Sequence, residues 1–219
     1  MSATPSRAAR VRGEAVTHRF GARLALAPVT FEAEAPGVVA VTGANGSGKS
    51  TLLRILAGLL RPRGGSATVE VAGAAVPPRA RRGVVGLASP DLAFYDEMSA
   101  AENLVFTART RGLPDAAALV HDALAAVGLA SRAADRVSGF SSGMKQRLRL
   151  AFATLHRPAV LLLDEPGSHL DEAGHAVVER LVHEQARTAL VVLATNEPRE
   201  VALARHRVAL AGSGLGDPS

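Results

Sequence analysis

Along the first third of the chain, apolar and polar positions alternate with a period of two in Ala15 to Phe20, in Val29 to Ala35 and, after the Pro36-Gly37 turn, in Val38 to Thr42. That period sends successive side chains to opposite faces of an extended backbone and predicts three strands. The period then lengthens. Leu52, Leu53, Leu56, Leu59 and Leu60 recur at helical spacing, which predicts a helix over Lys49 to Leu60 that stops before Pro62 and Gly64-Gly65. Thr68 to Val71 predicts another strand, and Pro77-Pro78 opens a basic loop of Arg79, Arg81 and Arg82. From Ser99 to Ala134 the pattern is helical, with Leu104, Phe106, Leu119, Leu124 and Val127 on apolar stripes and Gly112-Leu113-Pro114 breaking the run. This stretch reads as an inserted helical subdomain.

The last third alternates again: helix Gly143 to Leu155, strand Val160 to Leu163, helix Glu172 to Ala186 and strand Leu190 to Ala194. Strands alternating with helices imply a parallel sheet. The expected fold is therefore α/β, with a mostly parallel central sheet, an N-terminal antiparallel β part and the helical insertion. We expect one domain over residues 1–219, its core at 12–88 and 156–210, its helical subdomain at 90–155 and a loose tail at 212–219.

With 219 residues, 47% of them hydrophobic, the chain can bury a sizeable core. Cysteine is absent, which excludes disulfides, thiolate metal sites and a cysteine nucleophile, and fits a cytosolic setting. Met1 to Val16 carries arginines without an apolar stretch, and runs such as Ala159 to Leu163 end in charge, so neither export nor a membrane span is expected. The net charge of +5 rests on arginines scattered through an alanine-rich chain, and aromatics make up only 3%. A solvated surface explains this better than a nucleic-acid patch or a base-stacking platform, and no nucleic-acid partner is expected.

Gly43-Ala44-Asn45-Gly46-Ser47-Gly48-Lys49-Ser50 fits G-x-x-x-x-G-K-[ST] at every fixed position, directly after a predicted strand and at the start of a predicted helix. Glycines let successive N–H groups turn inward, and the helix start adds its positive end. Lys49 reaches the terminal phosphates, and Ser50 offers a hydroxyl to Mg²⁺. Such a P-loop binds a nucleoside triphosphate. Ala159 to Leu163 then forms a buried-type strand ending in Asp164-Glu165, where a parallel sheet places ligand groups. Asp164 would hold Mg²⁺, and Glu165 would orient or deprotonate the attacking water. His169 and His175 come nearest to metal-ligand spacing, but their place in and after a polar turn reads as solvated histidines.

Between P-loop and carboxylates lies Phe140-Ser141-Ser142-Gly143-Met144-Lys145-Gln146-Arg147, and after them Ser168-His169-Leu170-Asp171. On residues alone, Phe140 to Leu155 is a capped amphipathic helix with Met144, Leu148, Phe152 and Leu155 inward. In order and spacing these segments, with the P-loop, resemble the ABC ATPase family over residues 12–205, and Phe140 to Met144 stands for its L-S-G-G-Q signature. The resemblance implies a P-loop NTPase that binds ATP and Mg²⁺. It also implies that Ser141 and the following N–H groups contact the γ-phosphate held by a second subunit's P-loop. Phe20 takes the place of the family's adenine-stacking aromatic, Thr51 that of an α-phosphate contact, and Asp171 that of the dimer loop. Tyr95 to Ser99 and Glu102-Asn103-Leu104 resemble the segment leading to the permease-contacting surface.

Two positions depart from the family. Pro90, in Ser89-Pro90-Asp91, stands where the Q-loop glutamine ligates Mg²⁺ and links the helical subdomain to the core; neighbouring Asp91 is the substitute expected through water. Asn196 replaces the switch histidine, and its amide donates a hydrogen bond but accepts no proton at neutral pH. Glu165 and Asn196 are thus the expected catalytic pair, with a modest basal rate. The function implied is the ATP-hydrolysing subunit of a transporter, a homodimer peripheral on the inner membrane face through a separate permease. The segments resemble small export-type ATPases, including the haem-exporter ATPase of cytochrome c biogenesis, though no residue here reads a cargo. The alternative is an ATP-gated regulator or the weak half of a heterodimer. A soluble nucleic-acid or ribosome factor fits poorly, because the stretch from Lys49 to Phe140 is short and lacks heptads.

Overall fold

The computed structural model describes residues 8–212; all of the expected tail except Gly212 lies outside the described residues. The strands divide between two sheets. β1 (Ala9–Phe20), β2 (Arg23–Glu34), β4 (Gly64–Val71) and β5 (Ala74–Ala75) pair antiparallel in the order β2-β1-β4-β5. β3 (Gly37–Thr42), β6 (Val85–Ala88), β7 (Val160–Asp164), β8 (Leu190–Ala194) and β9 (His206–Ala209) form a parallel sheet in the order β6-β7-β8-β3-β9. Its central strands read as unbroken apolar runs because both faces are covered. Leu161, Leu163, Val191 and Leu193 enter one core; Val160, Leu162, Leu190 and Val192 enter the other.

The second core is closed by α1 (Lys49–Leu56), whose Leu52, Leu53, Ile55 and Leu56 meet Val11, Val16, Leu26 and Val69 of the antiparallel sheet. The first is covered by α2 (Ala100–Thr110), α3 (Ala116–Ala126), α4 (Ser142–Thr154) and α5 (Glu172–Gln185), through Leu104, Leu124, Leu148, Leu150 and Leu181. A short α6 (Pro198–Val201) follows β8. Among the described residues no helix is long and apolar enough to cross a membrane.

Several boundaries differ from the periodicity, each for a local reason. α1 stops at Leu56 instead of Leu60: Gly58 takes φ 78°, Leu59 N–H bonds Arg54 O and Gly58 N–H bonds Ile55 O, closing the helix in a left-handed cap. Leu59 consequently stands 71% exposed. The expected basic loop is a 3₁₀ turn over Pro78–Gly83, and its Arg81 is buried, donating to the carbonyls of Ile55, Leu56, Ala67 and Val76. There it caps the carbonyl end of α1. β1 and β2 run longer than the alternation suggests, and β6 and β9 are unforeseen. Ser99 opens α2 through a reciprocal bond with Glu102, and Phe106 lies 48% exposed rather than inward. On α4, Leu148 is fully buried and Leu155 just beyond it nearly so, while Met144 and Phe152 are only half-buried.

Candidate functional site

β3 ends and α1 begins around the segment Gly43 to Lys49. Gly48 caps α1 with φ 101°, a conformation that strains any residue with a side chain, and an added Cβ would lie 2.4 Å from Ala25 O. No side chain bonds the start of α1 and no acid lies in its first turn. Its first N–H groups are therefore presented to a ligand, where the helix end favours negative charge. Lys49 is buried and its Nζ donates to Gly43 O at 2.8 Å, so the ammonium folds across the cradle it closes. A cleft of about 260 Å³ opens above, lined by Phe20, Arg23, Ala25, Asn45, Gly46, Gly48, Lys49, Ser50, Thr51 and Glu165. Phe20, half exposed, packs edge-on against His18 with its ring at the mouth of this cleft.

Strand β7 delivers the acids. Asp164 is 3% exposed and its Oδ1 has no hydrogen-bond partner. Burial pushes its carboxyl above the ordinary range; the Ser50 hydroxyl opposes the shift and neighbouring Glu165 adds to it. An orphaned carboxylate oxygen facing a hydroxyl is a fit for a small, oxygen-loving cation such as Mg²⁺, which would hold Asp164 ionised. Glu165 is exposed, with φ 48°, and its N–H bonds Ala194 O at 2.9 Å. Its Oε2 receives only a long 3.4 Å bond from Ser168 Oγ, so the backbone sets where the carboxylate sits.

Asn196, exposed beyond the end of β8, accepts the Gly43 N–H through Oδ1 at 3.1 Å. That bond turns its NH₂ outward as a donor. A second cleft of about 330 Å³ joins Asn196 to Asn45, Glu165, His175 and Glu200. His175 is not simply solvated: its Nδ1 is buried against Gly167 without a hydrogen-bond partner, beside the buried Glu200.

The signature segment is built but lies elsewhere. Ser141 caps α4, its Oγ accepting the Met144 N–H at 3.2 Å, and its hydroxyl proton remains to donate outward. Phe140 is buried as the anchor, Ser141 and Ser142 are exposed, and Gly143 runs close under His169 O. None of Phe140 to Met144 lines the cleft of its own P-loop. Asp171 caps α5 by accepting the Gly174 N–H at 2.8 Å. Asp91 is not at the cradle: it pairs with Arg54 in a separate groove, so the expected substitution for the missing glutamine is not made by that side chain here. Sequence reading missed Arg23, which faces Phe20 across the hairpin and brings a cation to the cleft, and it missed Glu200. The two-residue period of β2, continued back from Val29 past Pro28, reaches Arg23.

Comparison with known proteins agrees with this geometry. A family model described as ABC transporter matches residues 26–168. The chain is 39% identical over 170 residues to the ABC transporter ATP-binding protein YxlF of Bacillus subtilis, covering 77% of this chain and 56% of that one. It is 34% identical over 210 residues to the aliphatic sulfonates import ATP-binding protein SsuB of Burkholderia thailandensis, covering 94% and 59%. It thus spans less than two thirds of either relative. Among solved structures, the ATP-binding cassette MJ0796, a dimer in a post-hydrolysis state bound to ADP and Pi, shares the fold with a TM-score of 0.80 at 20% identity, covering 91% of this chain and 94% of that one.

Proposed function

This chain belongs to the ABC transporter family, and on that premise we propose that it binds and hydrolyses ATP, closes head to tail with a second copy on ATP, and drives a separate membrane permease. The observation that carries the reading is the meeting of the P-loop cradle and Glu165 in one cleft, with Asp164 buried beneath. The N–H groups at the start of α1 and Lys49 would hold the β- and γ-phosphates. Phe20 would stack on the base, and Arg23 would add charge beside the polyphosphate. Ser50 and Asp164 would hold Mg²⁺, which supplies positive charge to the phosphate oxygens.

Glu165 would orient the attacking water and accept its proton. The water oxygen bonds the γ-phosphorus, the bond to the β,γ-bridging oxygen breaks, and ADP departs with that electron pair. Asn196, fixed on Gly43, would donate a hydrogen bond to the γ-phosphate. Because none of Phe140 to Met144 lines the cleft of the chain's own P-loop, a second copy is the natural supplier of a phosphate to Ser141 and the start of α4. The permease partner is supported by a groove of about 360 Å³, lined by Leu59, Val85, Leu87, Leu92 and Phe152 and edged by Arg54, Arg82 and Arg111. It suits an amphipathic helix bearing an acid.

Asn196 also favours a second reading, an ATP-gated regulator or the weak half of a heterodimer, because an amide takes up no proton. Sedimentation of Glu165→Gln tests the dimer. The account expects a dimer with Mg-ATP and a monomer with ADP, and a monomer in both for Glu165→Gln carrying Ser141→Asp. A monomer at every ATP concentration that saturates the site would sink the head-to-tail arrangement.

A further inference from the structure

We infer that Gln146 is a positioning residue for Glu165, held by Arg149, and that this pair connects the apolar groove to the catalytic carboxylate. The inference rests on the hydrolytic reading above. Gln146 is 4% exposed on α4, and its Nε2 donates to Glu165 O at 3.2 Å and to Pro166 O at 3.1 Å. Both amide protons therefore hold the two carbonyls that follow the Glu165 Cα. On its other side Glu165 is tied only through its N–H to Ala194 O. With the side chain itself held by a single long contact, these backbone ties decide where the carboxylate points.

Arg149, one turn further along α4, fixes the orientation of that amide. Its Nη1 donates to Gln146 Oε1 at 3.1 Å. A flipped amide would set donor against donor at the guanidinium and acceptor against acceptor at the carbonyls, so only one orientation survives. Arg149 Nε also donates to Leu92 O at 3.1 Å, and Leu92 lines the groove beside Asp91 and Phe152. Burial lowers the pKa of the guanidinium, and the charge of Asp91 opposes that shift.

The connection therefore runs from the groove wall through Leu92 O, Arg149 and Gln146 to the Glu165 peptide. Pro90, two residues before Leu92, has no side-chain hydrogen-bonding group to make such a link. The same helix begins at Ser141, so a displacement of α4 from either end reaches Glu165 by this route.

Spatial adjacency alone is not coupling, so the test is a double-mutant cycle. Arg149→Ala leaves a good helix former at a half-buried site. We expect it to lower kcat for Mg-ATP about fivefold, with the ATP dissociation constant changed less than about twofold. Gln146→Ala should do the same, and the double variant should be no slower than Gln146→Ala alone; Arg149→Lys, able to reach only one of the two acceptors, should fall between. Losses that multiply, or an ATP affinity that falls in step with kcat, overturn the inference. A wild type no faster than Glu165→Gln would instead sink the hydrolytic reading. Hydrogen exchange without nucleotide then still decides: Arg149→Ala should speed exchange over residues 165–168 and leave 51–56 unchanged, and equal exchange in both proteins overturns the connection.

Discussion

Phe20→Ala separates base recognition from phosphate recognition. The ring is 51% exposed, packs edge-on against His18 at 4.6 Å between centroids, and lines the cleft that holds Lys49 and Glu165. Stacking of a base on an aromatic ring is worth about 1–3 kcal/mol. With one ring and no second platform in the cleft lining, the lower half of that range applies, about 1.5 kcal/mol, or roughly tenfold in affinity. Because half the ring is already in water, truncation should cost about 1 kcal/mol of stability or less, a fall of about 2–4 °C in melting temperature for a chain of this size. The assay is calorimetric titration with ATP and, separately, with inorganic tripolyphosphate, which has no base. Phe20→Ala should weaken ATP about tenfold and tripolyphosphate less than about twofold, and Phe20→Tyr should restore ATP. Equal weakening of both ligands would show that the ring shapes the P-loop rather than stacking, and no weakening of either would remove it from the site.

Arg81→Met takes the charged donor from four carbonyls, two of them at the end of α1. Hydrogen bonds to a charged group are worth about 1.5–3 kcal/mol each, offset by relief of the desolvated guanidinium, for a net loss of about 2–4 kcal/mol. Thermal unfolding should fall by about 5–15 °C while ATP affinity holds, and an unchanged melting temperature would mean the burial cost cancels the bonds. Glu200 is 2% exposed, and burial raises its carboxyl above the ordinary value, with Thr195 and Gly167 opposing. The folded state thus binds its proton more tightly than the unfolded state, and wild type loses stability as pH climbs above about 4.5. Glu200→Gln should gain in melting temperature on wild type as pH rises from that value through the raised pKa of the folded state, and then hold that gain; a difference that is the same at acid and neutral pH, or that shrinks, contradicts the assignment.

The parts of the fold that were legible are those whose conformation is written in neighbouring residues. Gly43 to Ser50 needs only its own glycines and the helix after it, and the run into Asp164-Glu165 needs only a strand buried on both faces. The end of α1 was also written locally, in Gly58, but the leucine spacing beyond it carried the reading on to Leu60. β6 escaped because it is four residues long and contains Gly86, which looks like a turn. The glycine is there because Ala153 O passes 2.0 Å from where its Cβ would stand. Arg81 reads as a loop charge and Asp91 as a stand-in for the missing glutamine until their partners, the carbonyls of α1 and Arg54, are in place. The bonds of Asn196 to Gly43 and of Gln146 to Glu165 span long stretches of chain and leave no periodic trace. Only the packed parallel sheet brings those residues together.

The central claim is that Glu165 drives hydrolysis at the P-loop although Asn196 occupies the switch position. Steady-state release of phosphate from Mg-ATP by wild type, with Glu165→Gln beside it at the same saturation with ATP, tests this most directly. The account predicts a wild-type rate at least about a hundredfold above that of the variant, the typical contribution of a positioned general base. Equal rates with ATP bound in both would contradict it and leave the chain as a nucleotide-gated partner.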